Sequence, residues 1–157
     1  MLKYATTDVV FQEIPGEVTL AINITACPCR CPGCHSKYLW ADSGRTLDEP
    51  VLDALIGEFG DEITCVAFMG GDGDPAAVNR LAEHARRSHP TLRTAWYTGR
   101  TIISSAIEKG NFDYIKVGPY IKHLGPLDKP TTNQRMYRIH STGELEDITA
   151  LFWKKKP

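Results

Sequence analysis

Apolar and polar positions change period several times along the chain. Val18-Thr19-Leu20-Ala21-Ile22-Asn23-Ile24 reads as a strand and runs straight into a loop crowded with cysteines. Apolar residues at 51, 52, 55, 56 and 59 then follow helical spacing. That helix is opened by Thr46 with Glu49 three residues on, or by Asp48, with Pro50 in its first turn and Gly60 closing it. Cys65-Val66-Ala67-Phe68-Met69 is a short apolar run expected as a buried parallel strand, and it ends in Gly70-Gly71-Asp72-Gly73-Asp74-Pro75. Asp74 and Pro75 fit the N-cap and first position of a second helix with an apolar stripe at 77, 78, 81, 82 and 85, stopped by Pro90. A strand over 92–97, a turn at Thr98-Gly99, a helix over 102–109 capped by Gly110 and a strand over 114–117 complete the alternation. Residues 118–134, with Pro119, Pro126 and Pro130, form a long loop before a last strand over 136–140.

Strand alternating with helix predicts a mostly parallel sheet with right-handed crossovers and ligand sites at the carboxyl ends of its strands. The cysteine loop and both glycine turns fall at such ends. A closed barrel of eight units takes about 250 residues, or roughly 31 per unit, so a chain of 157 residues provides about five units. The expected fold class is therefore α/β: an open, partial (β/α) barrel of about five to six mostly parallel strands, one domain over residues 1–157. Its open side is left for a partner to cover.

The composition narrows the function. With 42% apolar side chains the chain is an ordinary globular one, and disorder, collagen and coiled coil are disfavoured. Eighteen basic residues against nineteen acidic ones leave a net charge of -1, which offers no electrostatic argument for a nucleic-acid or membrane surface. The first residues lack the apolar core of a signal peptide, and no window approaches the ~18 apolar residues of a membrane span. The expectation is a cytoplasmic protein with no nucleic-acid and no membrane partner. In a reducing compartment cysteines serve chemistry more often than disulfides. Here Cys27, Cys29, Cys31 and Cys34 crowd into one loop.

Four chemistries can be read from Cys27-Pro28-Cys29-Arg30-Cys31-Pro32-Gly33-Cys34-His35. Cys31-Pro32-Gly33-Cys34 is a passable dithiol redox motif, and Cys31 to His35 matches haem attachment, but each uses only two of the cysteines. Four thiolates could enclose a zinc ion, although Cys27-x-Cys29 is tighter than a zinc-knuckle pair. The fourth reading takes Cys27-x3-Cys31-x2-Cys34 and leaves Cys29 as a bystander or alternative ligand. Three thiolates on a [4Fe-4S] cube leave one iron open to a chelating ligand. Cys65 reads as a small buried strand residue, and His84, His89, His123 and His140 form no usable pattern.

The C-x3-C-x2-C loop resembles the signature of the radical S-adenosylmethionine enzymes, and Gly70-Gly71-Asp72 resembles their Gly-Gly-Glu/Asp-Pro turn, although here the proline, Pro75, follows Asp74. The short chain, Cys34-His35-Ser36, Trp96-Tyr97-Thr98-Gly99 and Thr131-Thr132-Asn133-Gln134-Arg135 are similar to the activating proteins of anaerobic ribonucleotide reductases, over roughly residues 9–139. The resemblance implies one [4Fe-4S] cluster per chain on Cys27, Cys31 and Cys34. It also implies S-adenosyl-L-methionine held by Gly33, Cys34, His35, Gly70, Gly71, Asp72 and Tyr97, with Asp74 acting as a helix cap. The activity implied is reductive cleavage of that cofactor to a 5'-deoxyadenosyl radical, which would take a Cα hydrogen from one glycine of the reductase. Its implied partners are the glycyl radical subunit of anaerobic ribonucleoside-triphosphate reductase and a flavodoxin-like electron donor. No catalytic side chain beyond the cluster and cofactor is implied. A radical enzyme acting on a small molecule, and a zinc or thiol-redox module on the same cysteines, are the alternatives.

Overall fold

A computed structural model describes residues 2–28, 39 and 41–153. Its eight strands are β1 (Leu2–Val10), β2 (Thr19–Ile24), β3 (Arg45–Leu47), β4 (Cys65–Met69), β5 (Arg93–Tyr97), β6 (Tyr114–Val117), β7 (Arg135–Ile139) and β8 (Leu145–Asp147). They form one sheet in the order β3-β1-β2-β4-β5-β6-β7-β8. The central four, β2, β4, β5 and β6, run parallel. On each side the flanking pair adds antiparallel, β1 and β3 at one margin, β7 and β8 at the other.

Two helices, α1 (Glu49–Phe59) and α2 (Pro75–Ser88), make the crossovers β3 to β4 and β4 to β5. Asp48, not Thr46, caps α1: its Oδ1 accepts the Val51 N–H at 3.0 Å, while Thr46 lies within β3. Asp74 caps α2 as its spacing predicts, accepting the Ala77 N–H at 3.2 Å, and Ala77, Val78, Leu81, Ala82 and Ala85 are the buried stripe. That stripe and α1 cover one face of the sheet through Leu20, Ile22, Val66, Phe68, Trp96 and Ile115. The opposite face carries Cys65, Ala67, Ala95, Tyr114 and Met136, closed over by Ile14 and Ile148.

The helix expected over 102–109 is absent; that segment is a chain of bends leading to a 3-10 turn, Lys109–Asn111. Thr101-Ile102-Ile103 is β-branched, and Ser104 spends its hydroxyl on the Ala106 N–H at 3.2 Å, both of which compete with a helix. The Glu108 N–H is taken instead by Asn79 of α2 at 2.8 Å. Ile102 is left 82% exposed, while Ile103 and Ile107 reach the core without a helix. Among the described residues no helix is long and apolar enough to cross a membrane.

Candidate functional site

The carboxyl ends of the four parallel strands gather Cys27, the Gly70–Asp72 turn and Tyr97. Beyond β2 the chain is held by backbone pairing: the Thr25 N–H donates to Lys3 O at 2.9 Å and the Ala26 N–H to Ala41 O at 3.0 Å. The Thr25 hydroxyl donates to Ser43 O at 2.5 Å. Ala26 takes φ 57°, a left-handed turn that a non-glycine residue adopts only when its surroundings insist. Cys27 follows, half-buried, its thiol free and its N–H donating to Leu39 O at 2.9 Å. That last bond brings the two ends of the cysteine loop together. Cys29, Cys31, Gly33, Cys34 and His35 lie outside the described residues.

Beyond β4 the chain turns through Gly70 (φ 106°) and Gly71 (φ 91°), conformations that favour glycine. A Cβ on Gly71 would lie 2.5 Å from Val78 Cγ2 and 3.4 Å from Ile24 Cδ1, so glycine is required there by space as well as by backbone. A Cβ on Gly73 would sit 3.7 Å from Ala26 O, which puts this turn directly against the stalk of the cysteine loop. The Trp96 Nε1–H donates to Gly70 O at 2.7 Å, and the Gly70 N–H to Tyr97 O at 3.0 Å, so β5 fixes the orientation of the turn.

Asp72 is 6% exposed. Its carboxylate accepts the Thr98 hydroxyl on one oxygen and the Gly99 N–H, at 3.0 Å, on the other. The two glycine turns read separately in the sequence are thereby tied into one structure. Tyr97 points to the opposite face from Trp96, and its hydroxyl donates to Glu13 O. Burial pushes its pKa up, so it stays a neutral phenol.

The Asn133-Gln134 element reaches the same edge. β7 is antiparallel to β6, with Val117 opposite Arg135, so the residues before Arg135 lie beside the end of β6. A Cβ on Gly118 would come within 3.2 Å of Gln134 Cα. Asn133 Nδ2–H donates to Pro119 O at 3.0 Å, while its buried Oδ1 accepts no hydrogen bond from the described residues. A buried acceptor without a donor costs ~1–3 kcal/mol, which a ligand N–H or O–H would recover.

Lys116 and Glu13, two residues that approach Tyr97, carry no motif. Lys116 is 8% exposed on a strand whose other members are apolar or aromatic; its Nζ donates to Gly118 O at 3.1 Å and lies 5.3 Å from the Tyr97 ring centroid. A lysine at the third position of Tyr-Ile-Lys-Val was the available signal, because a strand buried on both faces rarely spends a position on a cation. Glu13 has a buried carboxylate oxygen with no hydrogen-bond partner among the described residues. Burial raises its pKa, its own backbone N–H opposes this, and the charge on Asp8 adds to the rise. Nothing in the pattern around it marks Glu13 in advance.

The edge therefore offers a free thiol, a glycine turn with backbone groups fixed by β5, a buried carboxylate already oriented, and an unfilled amide acceptor. No group of three or more metal-ligating side chains is assembled among the described residues, which include only the first of the four crowded cysteines. The sequence matches the family model described as a 4Fe-4S single cluster domain over residues 15–124, more than half of the chain. That span takes in the cysteine loop, both glycine turns and the end of β6. No curated protein and no solved structure gives a significant match.

Proposed function

Because the chain belongs to the family of 4Fe-4S single cluster domains, and is thus an iron–sulfur protein, we propose that it is a radical S-adenosylmethionine activase. In this reading it cleaves S-adenosylmethionine reductively and takes a Cα hydrogen from one glycine of anaerobic ribonucleoside-triphosphate reductase. The observation that carries the reading is the contact of the Gly70–Gly73 turn with the stalk of the cysteine loop.

Cys27, Cys31 and Cys34 would hold the cluster, with Cys29 dispensable. When bound, the cluster and S-adenosylmethionine supply the one-electron chemistry, and the protein supplies binding and orientation. Gly70 and Gly71, at positive φ, shape the turn whose backbone would receive a cofactor's amino and carboxylate groups. Each Asp72 oxygen accepts one bond from the Thr98–Gly99 turn, which aims the carboxylate that would meet the cofactor's ammonium group. Asn133 Oδ1 offers a further acceptor, and the apolar packing around Tyr97 and Met69 limits water at the edge. Gly33, Cys34, His35 and Tyr97 complete the proposed cofactor contacts. The open, partial barrel form of the sheet belongs to the same reading, because a polypeptide loop bearing the target glycine needs an unclosed side. So do the cytoplasmic setting, the reductase subunit and the flavodoxin-like electron donor.

Anaerobic reconstitution tests the proposal. The expected product holds about four irons per chain. Cys27→Ala, Cys31→Ala and Cys34→Ala should each abolish this iron, and Cys29→Ala should retain it. Reduced protein with S-adenosylmethionine and the reductase subunit should give a doublet glycyl signal by electron paramagnetic resonance. Stoichiometric zinc with all four cysteines required, or cofactor cleavage with no signal on the reductase, would overturn it.

A further inference from the structure

The opposite, amino-terminal end of the parallel strands holds a cavity of about 680 Å³ that the reading above does not use. It opens where α2 ends, where β5 and β6 begin, and where the turn 140–143 joins β7 to β8. Three guanidiniums, Arg86, Arg93 and Arg138, line it, against one carboxylate, Asp113.

That carboxylate is used to orient the arginines. Arg86 donates to both of its oxygens, at 2.7 and 3.4 Å, and Arg93 Nη1 lies 4.0 Å away. The Arg93 Nε–H is held from the other side by Glu17 at 3.1 Å. Asp113 also accepts the Thr94 N–H at 2.9 Å, so its charge is shared among backbone and two cations. Arg138 has a different setting. Its guanidinium lies over the Tyr114 ring, 5.7 Å from the centroid, and the described residues pair no carboxylate with it. The ring contact holds the cation at the cavity wall without neutralising its charge.

We propose that this cavity is an anion site for a phosphate-bearing small molecule. Planar guanidinium forks match phosphate oxygens two at a time, and the volume lies within the range of small-molecule sites, roughly 300–1,000 Å³. The hydroxyl of Thr142 and the backbone of the turn at Gly143 stand on the same wall and supply neutral polar groups beside the cations. The whole length of β5, Arg93–Tyr97, separates the cavity from the Thr98 turn, about 13–16 Å at the usual rise. A ligand here does not reach the cysteine edge, and acts on the protein as an effector rather than as a substrate.

Calorimetric titration of the full, cluster-loaded chain with sodium tripolyphosphate at fixed ionic strength tests this. One saturable site is expected, weakened at least tenfold by Arg138→Gln, only partly restored by Arg138→Lys, and unchanged by Lys129→Gln on the far loop. Thermal unfolding without anion checks that the variants fold; the lysine variant keeps the charge should the glutamine variant fail. Absence of saturable binding at millimolar anion, indifference to Arg138→Gln, or equal affinity for citrate would overturn the proposal. The last result would assign the cavity to carboxylates.

Discussion

The two ends of the parallel strands are built on opposite plans. At the carboxyl end the chain turns on glycines with positive φ, and Asp72 is satisfied by a hydroxyl and an N–H. At the amino end Glu17, Arg93, Asp113 and Arg86 form a continuous line of ion pairs, with Tyr114 and Thr64 hydrogen-bonded to Glu17. Neutral, closely packed backbone suits a place where another molecule must approach to van der Waals distance. Charge networks suit a place where strands must be anchored. The difference teaches that the sheet is pinned by ion pairs at one end, while the other end carries glycine turns held to one another by Asp72 and Trp96.

The sharpest way to break this contrast is Gly71→Ala. The added methyl meets Val78 Cγ2 at 2.5 Å on a backbone at φ 91°, and a loss of ~2–4 kcal/mol in chemical denaturation is expected. Pairing it with Val78→Ala should relieve the clash but not the backbone strain, so only part of the loss should return. Asp72→Asn is expected to cost ~1–3 kcal/mol, because one amide oxygen cannot accept from both Thr98 and Gly99 and the amide N–H₂ faces a donor. It should also lower the affinity for S-adenosylmethionine measured by equilibrium dialysis.

Asp113→Asn, at the other end, should cost ~1–2 kcal/mol by the same denaturation assay, with iron content and cofactor affinity unchanged. A fall in either would show that the two ends are not independent. The smallest effect concerns the outer helices. Asp53 on α1 accepts from His89 at 2.8 Å and from His84 at 2.9 Å. Burial alone would raise its pKa, but the hydrogen bonds from His89 and His84 outweigh it and hold the carboxyl below its ordinary 3.8. A carboxyl lowered in the folded state stabilises above its unfolded pKa and loses that contribution as pH falls through the folded value. Asp53→Asn should therefore flatten the acid limb of a stability–pH curve below about pH 4 and leave the limb above neutrality alone.

How legible this was depended on whether the determining contacts are local. β2, β4, α2, β5 and β6 are apolar runs or stripes bounded by glycine, proline or a capping aspartate, and each forms within a residue or two of its expected limits. The Gly70–Asp74 turn could be placed at a strand end for the same reason. β1 escaped because Leu2–Val10 mixes Lys3, Thr6, Thr7 and Asp8 among its apolar positions; it becomes a strand by pairing with β2, a contact distant in sequence. The antiparallel direction of β7 depends on where the loop 118–134 delivers the chain, and the three residues of β8 are too few to show a period. Within the site, motif residues could be named in advance, whereas the bridge from Asp72 to Thr98 could not. A hydrogen bond between two turns on adjacent strands leaves no spacing to read.

The bond from the Cys27 N–H to Leu39 O has a thermodynamic consequence for how metal is acquired. Ligands spread along an open chain must lose conformational freedom when an inorganic core gathers them, and part of the binding energy goes to that ordering. Here two backbone bonds, Cys27 N–H to Leu39 O and Ala26 N–H to Ala41 O, already hold together the residues that flank the cysteine-bearing segment, so a cluster bound there would not have to bring them together. Weakening that clasp should slow metallation and lower affinity for iron before it disturbs the rest of the protein.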